Sequence, residues 1–216
     1  LTCITGTAPC TKGSVRFDGL DTADNRNAFE AVLGYVPQKD IMHDNLTVEQ
    51  SLTFTAKLRI AHDATRAEIN AAVAHAIEAV DLTGREKTLI SQLSGGQKKR
   101  VSIAMELLAN PRLLILDEPA NFVDNRFENE LYRMLAELHG RMAIVMISHD
   151  LGTITSVVRN IVCVNRYVHR HDSNIITEEQ LRNYDCPIQL ISHGKVPHTV
   201  LALHPHDCCP HTRTEE

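Results

Sequence analysis

"LSGGQKKRVSIAMELLANPRLLILDEP", Leu93 to Pro119, is the stretch whose reading decides the fold. Ser94 and Gln97 have the spacing of a capping box, in which a hydroxyl and an amide satisfy each other's helix-end N–H groups. Val101, Met105 and Leu108 then recur on one helical face. "RLLILDEP" follows as a continuous aliphatic run that ends on two carboxylates, Asp117 and Glu118. A run without polar alternation is the pattern of a strand buried on both faces of a parallel sheet. In open sheets of that kind, ligands sit beyond the carboxyl ends of the strands, where this acid pair falls.

The same alternation extends outward. "SVRFDG" (14 to 19) reads as a strand closing on an Asp-Gly turn. "AVLGYVPQ" (31 to 38) holds a short strand ended by Pro37. Thr47 and Gln50 open a helix to about Ile60. Thr65 and Glu68 open another, with Ile69, Val73, Ile77 and Val80 on one face. A helix is predicted over Phe127 to Leu138, then a buried strand "AIVMIS", then a third, "IVCVN". Strand and helix in alternation predict an α/β domain with a largely parallel sheet. After about Val168 the character changes. Seven of the twelve His and three of the six Cys lie beyond it, with a short helix expected at Thr177 to Tyr184 and no element expected past Cys186. The predicted organisation is a domain over 1–168 and a His/Cys-rich extension over 169–216.

Composition narrows the function classes. With 216 residues and 43% hydrophobic residues the chain can bury one sizeable core. Aromatics are 4% and Trp is absent, so that core must be aliphatic. A net charge of -5 argues against a nucleic-acid partner, which demands a basic face. No apolar run reaches the roughly 18 residues of a spanning helix, and the first residues, "LTCITGTAPCTKGSV", lack the pattern of a signal peptide. The cysteines are therefore expected to be reduced thiols of a cytosolic protein. The chain begins at Leu1, not Met, which leaves a fragment and a processed product both open.

Chemistry concentrates at two places. A carboxylate at the end of "LLILD" can hold Mg²⁺, which favours oxygen ligands and keeps several waters, and a second carboxylate beside it can accept a proton from attacking water. Asp117 and Glu118 would point to opposite sides of the strand, unless the strand ends there. Ser94, Gly95 and Gly96 present a hydroxyl and backbone N–H groups at a helix start, an anion site that also reads as a plain N-cap.

Together, "LSGGQKKR", "LLILDEP" and "ISHD" resemble the ATP-binding cassette (ABC) ATPases over roughly Leu1 to Val168. The resemblance implies a P-loop NTPase-like fold, a largely parallel sheet with a helical subdomain, here truncated at the N-terminus. It implies that Leu93 to Gln97 is the signature motif, contacting nucleotide through Ser94, Gly95, Gly96 and Gln97. It implies that Asp117 holds Mg²⁺ through water, that Glu118 is the general base, and that His149 senses the terminal phosphate. Asp124 then stands at the family's D-loop position, though it could equally cap the following helix, and Gln38 in "YVPQ" at the Q-loop. The implied cofactors are ATP and Mg²⁺. The implied partners are a second cassette in a head-to-tail dimer and a transmembrane permease, with the chain on the inner face of the cell membrane.

Two departures matter. The family's P-loop, G-x-x-x-x-G-K-[ST], does not occur; "ITGTAPCTKGS" places Lys12 before Gly13, the wrong order. The chain is expected to start downstream of the P-loop and to bind ATP weakly or not at all alone. Ala120 stands where the family has Thr or Ser.

The tail offers imidazole and thiolate, which suit Zn²⁺: His169, His171, His204, His206, Cys208, Cys209 and His211, at spacings unlike a closed structural site. A polar tail without such a role fits the same residues. "SVVRNIVCVNRYVHRHDSNIITEEQL" is similar to the ATPases of bacterial zinc and manganese importers, whereas "GYVPQKDIMHDNLTVEQSLTFTAKLR" resembles the branch of pigment and drug exporters. The expected function is thus an ATP-hydrolysing transporter subunit, with zinc or another divalent metal as a candidate substrate. Alternatives are a non-catalytic metal-binding protein on a cassette scaffold and a soluble cassette ATPase outside transport.

Overall fold

A computed structural model describes residues 2–120, 125–148, 158–165, 167–171, 188–193 and 196–201. The chain divides into two compact units, Leu1–Ile147 and Ser148–Glu216. Val168, where the sequence changes character, lies inside a strand of the second unit.

The first unit begins with a hairpin of β1 (Arg16–Phe17) and β2 (Leu20–Asp21). Asp18 and Gly19 sit at φ 51° and 81°, as the left-handed centre of a tight hairpin turn demands. The strand expected over 14–19 is therefore two residues plus its turn. Next comes α1 (Arg26–Val32), which runs directly into β3 (Leu33–Val36). The short strand expected within 31–38 and ended by Pro37 is β3, while α1 was not foreseen in the sequence. Seven residues with one buried side chain, Phe29, and no side-chain cap at Asn25 leave no period to read.

Three helices follow: α2 (Val48–Arg59), α3 (Arg66–Ala79) and α4 (Gly95–Leu107). Each starts with the capping box read from the sequence, at Thr47–Gln50, Thr65–Glu68 and Ser94–Gln97. They pack on one another around Leu52, Val73, Ile77, Val80, Leu82, Ile90 and Ile103, all buried. The core is aliphatic, as the composition requires. Each such side chain contributes about 1.5–3 kcal/mol on burial.

The sheet of this unit has the order β3-β4-β5, all parallel, with β4 (Leu113–Asp117) in the centre and β5 (Ala143–Ile147) on its far side. Leu114, Ile115 and Leu116 are fully buried, which is why the run carries no polar alternation. Between β4 and β5 the chain forms α5 (Asn125–His139), within two residues of the predicted helix, burying Leu131, Met134 and Leu135. The expectation that "AIVMIS" is buried does not hold among the described residues. β5 is an edge strand there, with Val145 42% exposed.

Gly34 sets how closely α4 approaches the sheet. A Cβ there would stand 2.9 Å from Leu114 Cδ1 and 3.3 Å from both Glu106 Cβ and Pro111 Cγ, so no other residue fits without displacement. Beside it, Tyr35 N–H donates to Glu106 Oε2 at 3.1 Å, and Arg59 holds both Glu106 oxygens at 2.7 and 2.9 Å.

In the second unit, β6 (Ile161–Asn165) pairs antiparallel with β7 (Tyr167–His171), and β8 (Ile188–His193) with β9 (Val196–Leu201). This corrects two expectations. "IVCVN", expected as a third buried strand, is half of a two-stranded antiparallel ribbon within its own unit, with Val162 and Val164 57% and 73% exposed; aliphatic content alone does not distinguish a ribbon from a core strand. Beyond Cys186 there is a hairpin, hidden in the sequence by Pro197, which stands opposite Ser192. The helix expected at Thr177 to Tyr184 lies outside the described residues.

Candidate functional site

β4 carries the acid pair to the carboxyl edge of the sheet. The strand ends at Asp117, whose backbone stands opposite Ile147 of β5. Glu118 then takes φ 47°, and its N–H donates to Ile147 O at 2.9 Å. A glutamate gains nothing from the left-handed region, and such a backbone costs on the order of 1–3 kcal/mol. That turn answers how the pair is directed: Glu118 leaves the pleat at the residue where the strand stops. Both residues are half-buried, and within the Glu118 carboxylate Oε1 is itself shielded from solvent.

Asp117 has a neighbour the sequence reading overlooked. Tyr35, on the adjacent strand β3, donates its phenolic hydrogen to Asp117 Oδ2 at 3.4 Å. Burial pushes the Tyr35 phenol above its ordinary value, and the charge of Asp117 adds to the shift. The hydroxyl therefore stays protonated and available as a donor to Asp117. "GYVPQ" showed a tyrosine inside a short strand, but only the strand order and register bring it to Asp117.

At the start of α4, Ser94 Oγ accepts from Gln97 N–H at 3.3 Å, while Gln97 Oε1 accepts from Ser94 N–H at 3.1 Å. Ser94 and Gly95 are exposed and Gly96 is buried. A Cβ built on Gly95 would meet nothing within 4 Å. Nothing in the described fold requires glycine there, although glycine costs a helix about 0.5–1 kcal/mol relative to alanine. The first turn contains no acidic side chain, unusual for a positive helix end. The three cations that follow are each engaged within the fold: Lys98 pairs with Asp44, Lys99 with Asp40, and Arg100 with Asp81 and Glu130. The helix start thus offers backbone N–H groups and a hydroxyl, an arrangement suited to an anion brought close to a surface without Cβ atoms.

Gln38 follows β3 in an exposed loop. That loop is stitched to the segment leading into α4: Ile90 N–H donates to Leu46 O at 2.9 Å, Ser91 N–H to Asp44 O at 3.1 Å, and Thr47 bridges to Leu89.

Other sequence-predicted residues are placed less fully or not at all. Asp124 and His149 lie outside the described residues, as do His204, His206, Cys208, Cys209 and His211. His169 and His171 lie in β7, their backbones opposite Cys163 and Ile161. No group of three or more His, Cys, Asp or Glu among the described residues is placed to hold a metal. A cleft of about 390 Å³ between α2 and α3, lined by Glu49, Val73, Ile77 and Glu78 among others, contains none of the predicted site residues. No described helix is long and apolar enough to cross a membrane.

The family model described as ABC transporter matches residues 1–121, and the chain belongs to that family. It is 37% identical over 143 residues to an ABC transporter ATP-binding/permease protein of Mycobacterium tuberculosis, covering 65% of this chain and 16% of that protein. It is 36% identical over 156 residues to a sulfate/thiosulfate import ATP-binding protein of Thermosynechococcus vestitus, covering 71% and 45%. It is also 36% identical over 140 residues to a zinc import ATP-binding protein of Mannheimia succiniciproducens, covering 63% and 49%. The match therefore spans half or less of each of these relatives. Among solved structures, the dimeric post-hydrolysis state of an ATP-binding cassette bound to ADP and Pi superposes with a TM-score of 0.64 at 21% identity, covering 74% of this chain and 72% of that one. An ABC transporter component from Clostridium perfringens gives 0.68 at 24%, covering 74% and 65%. The α/β fold with its parallel sheet is that of these cassettes.

Proposed function

We propose that this chain is the signature and acid-pair portion of an ATP-hydrolysing ABC transporter subunit. The observation that carries the reading is the end of β4, where Asp117 is followed by Glu118 on a strained backbone. Oxygen donors at that edge fit Mg²⁺. When bound, Mg²⁺ would neutralise phosphate charge. Asp117 would hold it through water, with Tyr35 orienting the carboxylate from behind. Glu118 would accept a proton from the attacking water. His149, Asp124 and Gln38 take the phosphate-sensing, dimer-facing and permease-coupling roles that the family resemblance implies. The open Gly95 supports a head-to-tail dimer, in which Ser94 to Gly96 would face nucleotide held by the other cassette.

No G-x-x-x-x-G-K-[ST] occurs between Leu1 and Glu216. These 216 residues by themselves would therefore bind ATP weakly; calorimetric titration giving a micromolar dissociation constant would refute that. A permease partner is supported by apolar exposure on α2, where Phe54 and Leu58 are 52% and 86% exposed one turn apart, and by Ile41, 81% exposed three residues past Gln38. Such a partner would place the chain on the inner face of the membrane. Zinc or another divalent metal is the substrate we favour, from the likeness of residues 156–181 and the His-rich end to metal importers. The relatives' names divide between zinc and sulfate/thiosulfate import, so they do not choose. The seven His beyond Val168 favour a second reading, a metal-binding protein that does not turn over ATP.

The deciding test is Glu118→Gln in the assembled transporter. Loss of general base should lower ATP turnover by about 10²–10⁴-fold and leave ATP binding intact. Undiminished turnover overturns the assignment of Glu118. Zinc binding without any ATPase activity favours the second reading.

A further inference from the structure

Lys99 is buried, 4% exposed, in the second turn of α4. Its ammonium is enclosed by three oxygens of the loop after β3. Pro37 O and Gln38 O accept hydrogen bonds from Nζ at 3.1 Å each. Asp40 Oδ1 lies 2.7 Å away as an ion pair whose direction is not that of a regular hydrogen bond. An ammonium carries three N–H donors, and three oxygens of one short loop surround this one. A buried cation is tolerated only when paired and hydrogen-bonded in this way.

The arrangement specifies more than stability. β3 ends at Val36, in register with Leu116 of β4, and Lys99 takes hold of the chain at the next residue, Pro37. Further along, Lys98 pairs with Asp44, and the backbone bonds from Ile90 and Ser91 to Leu46 and Asp44 hold the rest of the loop. Gln38 is thus fastened to the helix capped by Ser94, five residues before Lys99. We infer that Lys99 is a positioning residue, a clasp that makes Gln38 and the Ser94–Gly96 turn move as one body, so that displacement of either is delivered to the other across the joint at Val36–Pro37. The inference rests on the ATPase reading for its consequence in turnover, and on geometry alone for the clasp itself.

The test has two arms. In the chain itself, Lys99→Met removes all three contacts with little change in length. Amides of Leu46 and Ser91, whose hydrogen bonds to His43 O and Asp44 O close the far side of this loop, should then exchange at least about tenfold faster, while those of α3 keep their protection. Asp40→Ala removes one contact at a partly exposed position and should give a smaller increase of the same kind; it decides the first arm should Lys99→Met fail to fold. Unchanged exchange in the folded variant overturns the clasp. In the assembled transporter, Gln38→Ala is compared in two backgrounds, with Lys99 intact and after Lys99→Met. If Lys99 transmits the position of Gln38, Gln38→Ala should lower kcat strongly in the first background and by less than about twofold in the second. Multiplying effects with unaltered coupling overturn the transmission role. Absence of turnover in the unsubstituted assembly would instead reject the ATPase reading and, with it, the transmission role, while the exchange arm still decides the clasp.

Discussion

Gly95→Ala separates the needs of the fold from those of a ligand. The added Cβ would meet nothing within 4 Å, so there is no steric cost. The position is the first of α4, directly after the Ser94 cap, and its φ is not left-handed. Alanine should then be neutral or stabilise the chain by up to about 1 kcal/mol, since glycine surrenders more backbone freedom on folding. Urea unfolding of the two chains measures this as a shift of midpoint at constant slope. Turnover in the assembled transporter should move the other way, falling by about tenfold or more, because a methyl group holds an approaching phosphate away from the backbone N–H groups. A loss of stability above about 1 kcal/mol would show that the glycine serves the fold. Unchanged turnover would show that nothing approaches this surface closely, and the dimer-facing role of Ser94 to Gly96 would fall with it.

Gly34→Ala should behave oppositely. Its Cβ meets Leu114 Cδ1 at 2.9 Å, and overpacking of this kind costs about 1–3 kcal/mol, read by the same unfolding measurement. Asp117→Asn should lower the Tyr35 phenol toward its ordinary value without reaching it, because burial, the larger cause, remains; near-ultraviolet titration follows the phenolate. Glu68 is held below the ordinary glutamate value by hydrogen bonds from Thr65 N–H and then its hydroxyl. A depressed folded-state value means stability present above the unfolded value and lost as pH falls through the folded one. Amide protection at the start of α3 should therefore weaken over that acid window, and Glu68→Gln, which keeps an acceptor but does not titrate, should flatten the dependence.

The three capping boxes were legible because each is a contact between residues three apart, decided by local chemistry. So was β4, since a strand buried on both faces leaves no polar residue in its run. β6 carries a similar aliphatic run but forms an exposed ribbon, because the partner a strand finds is not written in its own residues. α1 was too short to show a period. Among site residues, Asp117, Glu118 and Ser94 to Gln97 could be named from their motifs. Tyr35 and Lys99 could not. A tyrosine in a strand reads as packing, and a lysine on a helix reads as solvated.

The sequence by itself therefore determined β4 and the capped helices α2, α3 and α4, the family likeness and the residues that carry charge or lack a side chain at the site. Only the tertiary structure decided that β3 lies beside β4 in the register that brings Tyr35 to Asp117, and that the loop holding Gln38 folds over Lys99. The physical reason is range. Caps, turns and aliphatic runs are settled among neighbours along the chain. Contacts between residues separated by 82 positions, as for Tyr35 and Asp117, or by 61, as for Gln38 and Lys99, depend on how the whole sheet and its helices pack.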